Sequence, residues 1–154
     1  MLDRVFSAFD AIADAEGLEK IKTIGDAYMV VGGAPEPRSD HAAAVARVAL
    51  AMRRTIATMA SDAGLRLRIG IDTGPAVAGV IGHRKFSYDL WGVTVNTASR
   101  MESHGVPGEI QVTSRCAAAL GDAFDVRPRG TIEVKGMGPM ETFLLLGERG
   151  SAFG

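Results

Sequence analysis

The sequence predicts an α+β fold, an antiparallel-rich sheet with helices packed on it. Three observations carry that reading. Apolar residues recur at helical spacing in Leu2, Val5, Phe6, Phe9, Ile12 and Ala13, and again in Val45, Val48, Ala49, Met52, Ile56 and Met59. Between and after these stripes come short β-branched runs punctuated by Gly, Pro and Asp. The two kinds of segment alternate along the chain, which places helices on one face of a shared sheet.

Each element has its own signal. Residues 3–16 read as an amphipathic helix that Gly17 ends, glycine being favoured just past a helix C-terminus. Leu18–Thr23 and Ala27–Val31 read as two strands of a hairpin turning at Ile24-Gly25-Asp26. "GGAPEPRSD" is a loop, and Ser39 or Asp40 is placed to cap the second helix, which stops near Ala63-Gly64. In "LRLRIGID", Leu65, Leu67, Ile69 and Ile71 alternate with Arg66, Arg68, Gly70 and Asp72, as a half-buried strand does. Residues 76–81 and 86–90 continue as strands. Val93–His104 is a third helix, Glu109–Val112 a strand, and Thr113 caps a helix running to Leu120. Residues 124–126, 131–134 and 142–146 are short strands around a "KGMG" loop. One strand added before the first helix would complete the ferredoxin-like β-α-β-β-α-β unit. The apolar start without a preceding cap is read as that first strand missing.

Composition narrows the function. With 154 residues, 47% hydrophobic and 23% charged, the chain is one ordinary globular domain. A net charge of −1 argues against nucleic acid and against an anionic membrane surface as partners. The runs His83-Arg84-Lys85 and Arg127-Pro128-Arg129 are short and read as solvated loops. A lone Cys116 allows no internal disulfide and fits a reducing, cytoplasmic setting. The glycines of "GIDTGPAVAGVIG" are turns and close-packing sites. Gly74 and Gly79 have P-loop spacing, but Val80 stands where that loop needs lysine. His41, His83 and His104 have no zinc-ligand spacing.

The polar residues that could carry chemistry lie in three stretches. In "KIKTIGDAYM", Asp26 sits at a hairpin tip, where turn geometry and metal ligation both favour it. Lys22 lies four residues earlier; on a straight strand the two would share a face about 13 Å apart, too far to grip one ligand atom. In "YDLWGVTVNTASRME", Asn96 and Arg100 are four apart on one helical face, able to reach one oxyanion or simply to face water. Asp89, beside Trp91, is either a helix-entry carboxylate or an acceptor for an exocyclic amine. In "EVKGMGPM", Lys135 is flanked by glycines that let backbone approach a phosphate.

Taken in order, "KIKTIGDAYM", "YDLWGVTVNTASRME" and "VKGMG" resemble the catalytic domain of a class III nucleotide cyclase, closest to bacterial members like the mammalian membrane adenylate cyclases. The resemblance spans about Leu2 to Leu146. It implies a ferredoxin-like cyclase fold over residues 1–147, with 148–154 a C-terminal tail, and conversion of ATP to cyclic AMP and pyrophosphate. It implies a homodimer with active sites at the interface, and Mg2+ or Mn2+ at a two-metal centre. Residue by residue, Asp26 matches the second metal-binding aspartate. Lys22 and Asp89, with neighbouring Leu90, match the purine-binding positions. Asn96 and Arg100 match the groups that position ribose and stabilise the transition state, and Lys135 the lysine on the terminal phosphates. The first metal aspartate of the family lies on a strand before the first helix and has no counterpart in this sequence. The expectation is therefore a cytoplasmic domain, on its own or as part of a larger membrane-attached protein, that binds ATP with little or no turnover in this form. The alternative is a non-catalytic module that holds nucleotide or a partner domain.

Overall fold

The computed structural model describes residues 2–59, 64–82 and 87–150. Among these, α1 (Leu2–Glu16) leads into a hairpin of β1 (Glu19–Ile24) and β2 (Ala27–Val31), then α2 (His41–Met59) and the short β3 (Ile69–Ile71). A second hairpin, β4 (Val77–Ile81) and β5 (Ser87–Trp91), precedes α3 (Val93–Ser103). β6 (Ile110–Thr113), α4 (Ser114–Leu120), β7 (Phe124–Val134) and β8 (Gly138–Glu148) complete the order. The principal sheet runs β3-β6-β8-β7; β1-β2 and β4-β5 form two-stranded ribbons. β3 pairs parallel to β6, and the remaining pairs are antiparallel.

α1 stops where expected. Gly17 takes φ 75°, and the amides of Gly17 and Leu18 reach back to the carbonyls of Asp14 and Ala13. Its inner face, Val5, Phe9 and Ala13, packs on Ala44, Val48, Met52 and Ile56 of α2, with Tyr28 and Val30 of β2 alongside. A different face of α2, Ala46, Ala49 and Leu50, packs on Ile71, Ile110, Val112, Phe124 and Leu145 of the sheet region. α2 thus serves two clusters, where one apolar stripe was expected; its alanines let both neighbours come close. The expected cap Asp40 turns its carboxylate to Arg38. The expected end of this helix at Ala63 lies outside the described residues.

Helices cover both faces of the principal sheet, which corrects the one-face expectation. Ile110 and Val112 point to the α2 and α4 side, while Gln111 between them donates to the Met101 carbonyl of α3 at 3.0 Å. All four residues of β6 are buried, as a strand covered twice must be. On β3, a Cβ at Gly70 would stand 2.4 Å from the Ala98 carbonyl oxygen, so only glycine lets α3 lie directly on that strand.

Two further expectations change. The "LRLRIGID" strand shrinks to Ile69–Ile71, and Leu65 is 42% exposed, because β3 finds only three partners on β6. The three short C-terminal strands are two strands of eleven residues. Register shifts at Asp125/Val126 and Pro128/Gly130 absorb the proline on β7, an edge strand where its missing N–H is tolerated. The Arg127-Pro128-Arg129 run is therefore strand, not loop. Arg127 is exposed beside Asp125, but Arg129 donates to the His104 carbonyl and to Gln111. His83-Arg84-Lys85 lies outside the described residues. Thr113 caps α4 as expected, its hydroxyl accepting from the Cys116 amide. Among the described residues no helix is long and apolar enough to cross a membrane.

Candidate active site

The β1–β2 hairpin aims its two lysines in opposite directions. Lys20 pairs with Val30 and Lys22 with Met29, so a bulge at Ile21 breaks the alternation between them. Adjacent partners on β2 point to opposite faces. Lys20 turns to α1, 3.3 Å from Asp10 and over the Tyr28 ring. Lys22 turns away from α1 and donates to Asp89 Oδ2 on β5 at 2.9 Å. Simple alternation puts both lysines on one face; the bulge re-aims the second.

Asp89 is held from two sides. Lys22, and then the Leu90 amide at 2.8 Å from Oδ1, keep its carboxyl below the usual carboxylate range. Both favour the charged form, so Asp89 is an acceptor-only carboxylate at neutral pH. Its side chain is 19% exposed and that of Lys22 is 40% exposed, so the pair faces solvent at one side. Leu90 is buried at 4% exposure, and its backbone amide is the group that meets the pair.

Asp26 follows Gly25 in the two-residue loop between Ile24 and Ala27. The positive φ of 59° at Gly25, with Asp26 outside that region, fits a type II′ hairpin. Asp26 is exposed and sits in the turn, not on the strand, so the straight-strand distance to Lys22 does not apply. Among the described residues no three His, Cys, Asp or Glu side chains converge as a metal site. One exposed carboxylate does not by itself fit a two-metal centre.

α3 presents its chemistry outward. Thr97 and Met101 are its buried residues, whereas Asn96 is exposed and Arg100 half-buried on the face that also carries Val93. Among the described residues neither Asn96 nor Arg100 spends its side chain on a hydrogen bond. Lys135 lies exposed in the tight turn between β7 and β8, with Gly136 and Gly138 at φ 80° and 76°. That turn docks on α3: the Lys135 amide donates to His104 Nε2 at 3.3 Å, and Thr97 Oγ1 touches Met137 Sδ at 3.8 Å. Lys22 and Asp89 are thus in direct contact. Lys135 shares a support with Asn96 and Arg100, and Asp26, at its hairpin tip, makes no hydrogen bond or ion pair with any of them among the described residues.

Sequence reasoning missed the supporting residues. Asp72 was one polar member of an alternating strand, yet its side chain is wholly buried against Arg115 and Thr113. His104 carried no zinc spacing and so no signal, although it holds the Lys135 turn. Only the buried position of an acidic residue at a strand end could have pointed to Asp72, and burial is not visible in one sequence.

With this fold and this set of side chains, the chain belongs to the adenylate and guanylate cyclase catalytic domain family, whose model matches residues 1–147. It is 51% identical over 153 residues to an adenylate cyclase of Mycobacterium tuberculosis, covering 98% of this chain and 34% of that protein. It is 44% identical over 150 residues to human guanylate cyclase soluble subunit beta-2, covering 95% of this chain and 24% of that one. The chain therefore spans about a third or less of these relatives. Among solved structures, the guanylate cyclase domain of RhGC from Catenaria anguillulae in complex with GTP superimposes with a TM-score of 0.89 at 39% identity, over 96% of this chain and 82% of that one.

Proposed function

We propose that this chain is an adenylate cyclase catalytic domain, converting ATP to 3′,5′-cyclic AMP and pyrophosphate. The observation that carries this reading is the 2.9 Å contact between Lys22 and Asp89, which sets an ammonium donor beside a carboxylate acceptor. Adenine offers N1 as acceptor and N6 as donor, and the pair complements both. Guanine offers O6 as acceptor and N1–H as donor, so Asp89 opposite O6 is repelled. Relatives with both names flank this chain, so the fold alone leaves the base open.

In this reading the ribose 3′ oxygen attacks the α-phosphorus, the 3′ hydroxyl gives its proton to solvent water, and the bond from the α-phosphorus to the bridging oxygen breaks as pyrophosphate leaves. Asn96 orients the ribose. Arg100, a turn further along the same face, balances charge on the phosphoryl oxygens as they move toward the transition state. Lys135 holds the terminal phosphates, with its turn fixed to α3. Asp26 would be the carboxylate that this chain offers to a divalent metal, which would supply charge neutralisation at the phosphates. The apolar residues Ile24, Val77, Val80, Trp91 and Val93, each at least 44% exposed, support pairing with a second copy, which would bring complementary groups to each nucleotide.

That no metal-ligating cluster forms among the described residues favours a second reading, a domain that holds ATP without turning it over. Assay of the purified chain with ATP and with GTP, each with Mg2+ or Mn2+, separates the two. Cyclic AMP formed from ATP in preference to cyclic GMP from GTP is the expected result. ATP binding without product favours the non-catalytic module, and a preference for GTP overturns the adenine assignment.

A further inference from the structure

α3 carries Asn96 and Arg100 but begins without a cap of its own. Its N-cap is Gly92, at φ 120°, with no side-chain hydrogen bond. What holds its first turn comes from elsewhere in the chain. Thr94 Oγ1 donates to the Pro75 carbonyl and accepts from Arg115 Nη2 at 3.3 Å. Arg115, in the first turn of α4, grips Asp72 with both arms of its guanidinium, Nε to Oδ1 at 2.9 Å and Nη2 to Oδ2. Thr113 closes the set, donating to Asp72 Oδ1 at 2.6 Å. The Gly74 turn lies over the cluster so closely that a Cβ there would stand 2.7 Å from Arg115 Nη1.

The Asp72 side chain is fully buried, while that of Arg115 is 46% exposed. Removing a carboxylate from water is costly and is offset only where geometry and hydrogen bonds are good. An apolar side chain would fill the end of β3 without that cost. A bidentate guanidinium–carboxylate pair adds direction, because the planar fork fixes the angle between the elements it joins. Here it joins the end of β3, the start of α4 and, through Thr94, the start of α3.

We infer that Arg115, oriented by Asp72, is a positioning residue: it fixes the entry of α3 and so sets where Asn96 and Arg100 meet the reacting phosphate. The role rests on the cyclase reading for its chemistry, but the clamp itself has a separate readout. Thr94→Val breaks one end of the link and leaves the Arg115–Asp72 pair intact, while Arg115→Ala breaks the other end and leaves the buried carboxylate without its partner, so a thermal melt accompanies it. In the protein in its active form, Arg115→Ala lowers kcat about 10- to 100-fold, the cost of a misplacement near 1 Å, with KM for ATP changed by less than about threefold. In an Arg100→Ala background the same change costs much less, because the group it places is gone. Hydrogen exchange of the amides at residues 94–100 speeds up in Arg115→Ala and Thr94→Val, while exchange in β6 and β8 is unchanged. An equal loss of kcat with and without Arg100, or unaltered exchange in α3, overturns the inference. If the wild type forms no cyclic nucleotide, the cyclase reading fails on its own, and exchange in α3 still decides whether the clamp exists.

Discussion

Arg100→Ala is expected to lower kcat about 10³- to 10⁵-fold, the range that an arginine acting on a transferring phosphoryl group supplies. KM for ATP should move little by comparison. Arg100 stands on the outward face of α3 with its guanidinium uncommitted among the described residues, so its loss leaves no buried partner orphaned and the fold should persist. Charge grows on the phosphoryl oxygens between ground and transition state, and a donor aimed at that growth acts on kcat. Steady-state kinetics with ATP, beside a thermal melt to confirm folding, read the effect. A change confined to KM would mean that Arg100 binds only the ground state.

The second large effect concerns the base. Lys22→Glu combined with Asp89→Cys is expected to shift the ratio of kcat/KM for ATP over GTP by about 30- to 20,000-fold toward GTP, two contacts at about 1–3 kcal/mol each. Glutamate accepts where guanine N1–H donates, and the thiol removes the carboxylate that repels O6. Lys22→Glu alone should lose ATP without gaining GTP, because it sets a second carboxylate beside Asp89 where an ion pair stood. Competition between the two nucleotides measures the shift, and a ratio left as in wild type would remove Lys22 and Asp89 from base recognition.

What the sequence made legible is local. Gly17 as a stop, Gly25-Asp26 as a hairpin turn, Thr113 as a cap, and Asn96 and Arg100 on one helical face each depend on a few neighbouring residues. The features that needed the structure are set by distant partners. Lys22 reaches Asp89 only because a bulge at Ile21 flips it away from Lys20, and a bulge is decided by pairing with β2. β7 runs through Pro128 because β8 supplies ten paired residues on its other side. α3 lies opposite α2 across the sheet because Gly70 and Gln111 make room and a hydrogen bond for it. The Asp72–Arg115 clamp joins residues 43 positions apart, a link no periodicity announces.

The most direct test is a crystal structure of the domain with a non-reactive ATP analogue and a divalent ion. The account predicts adenine against Lys22 and Asp89, with the triphosphate running toward Arg100 and Lys135. A nucleotide seated away from these four side chains, or no bound nucleotide at saturating concentration, contradicts it.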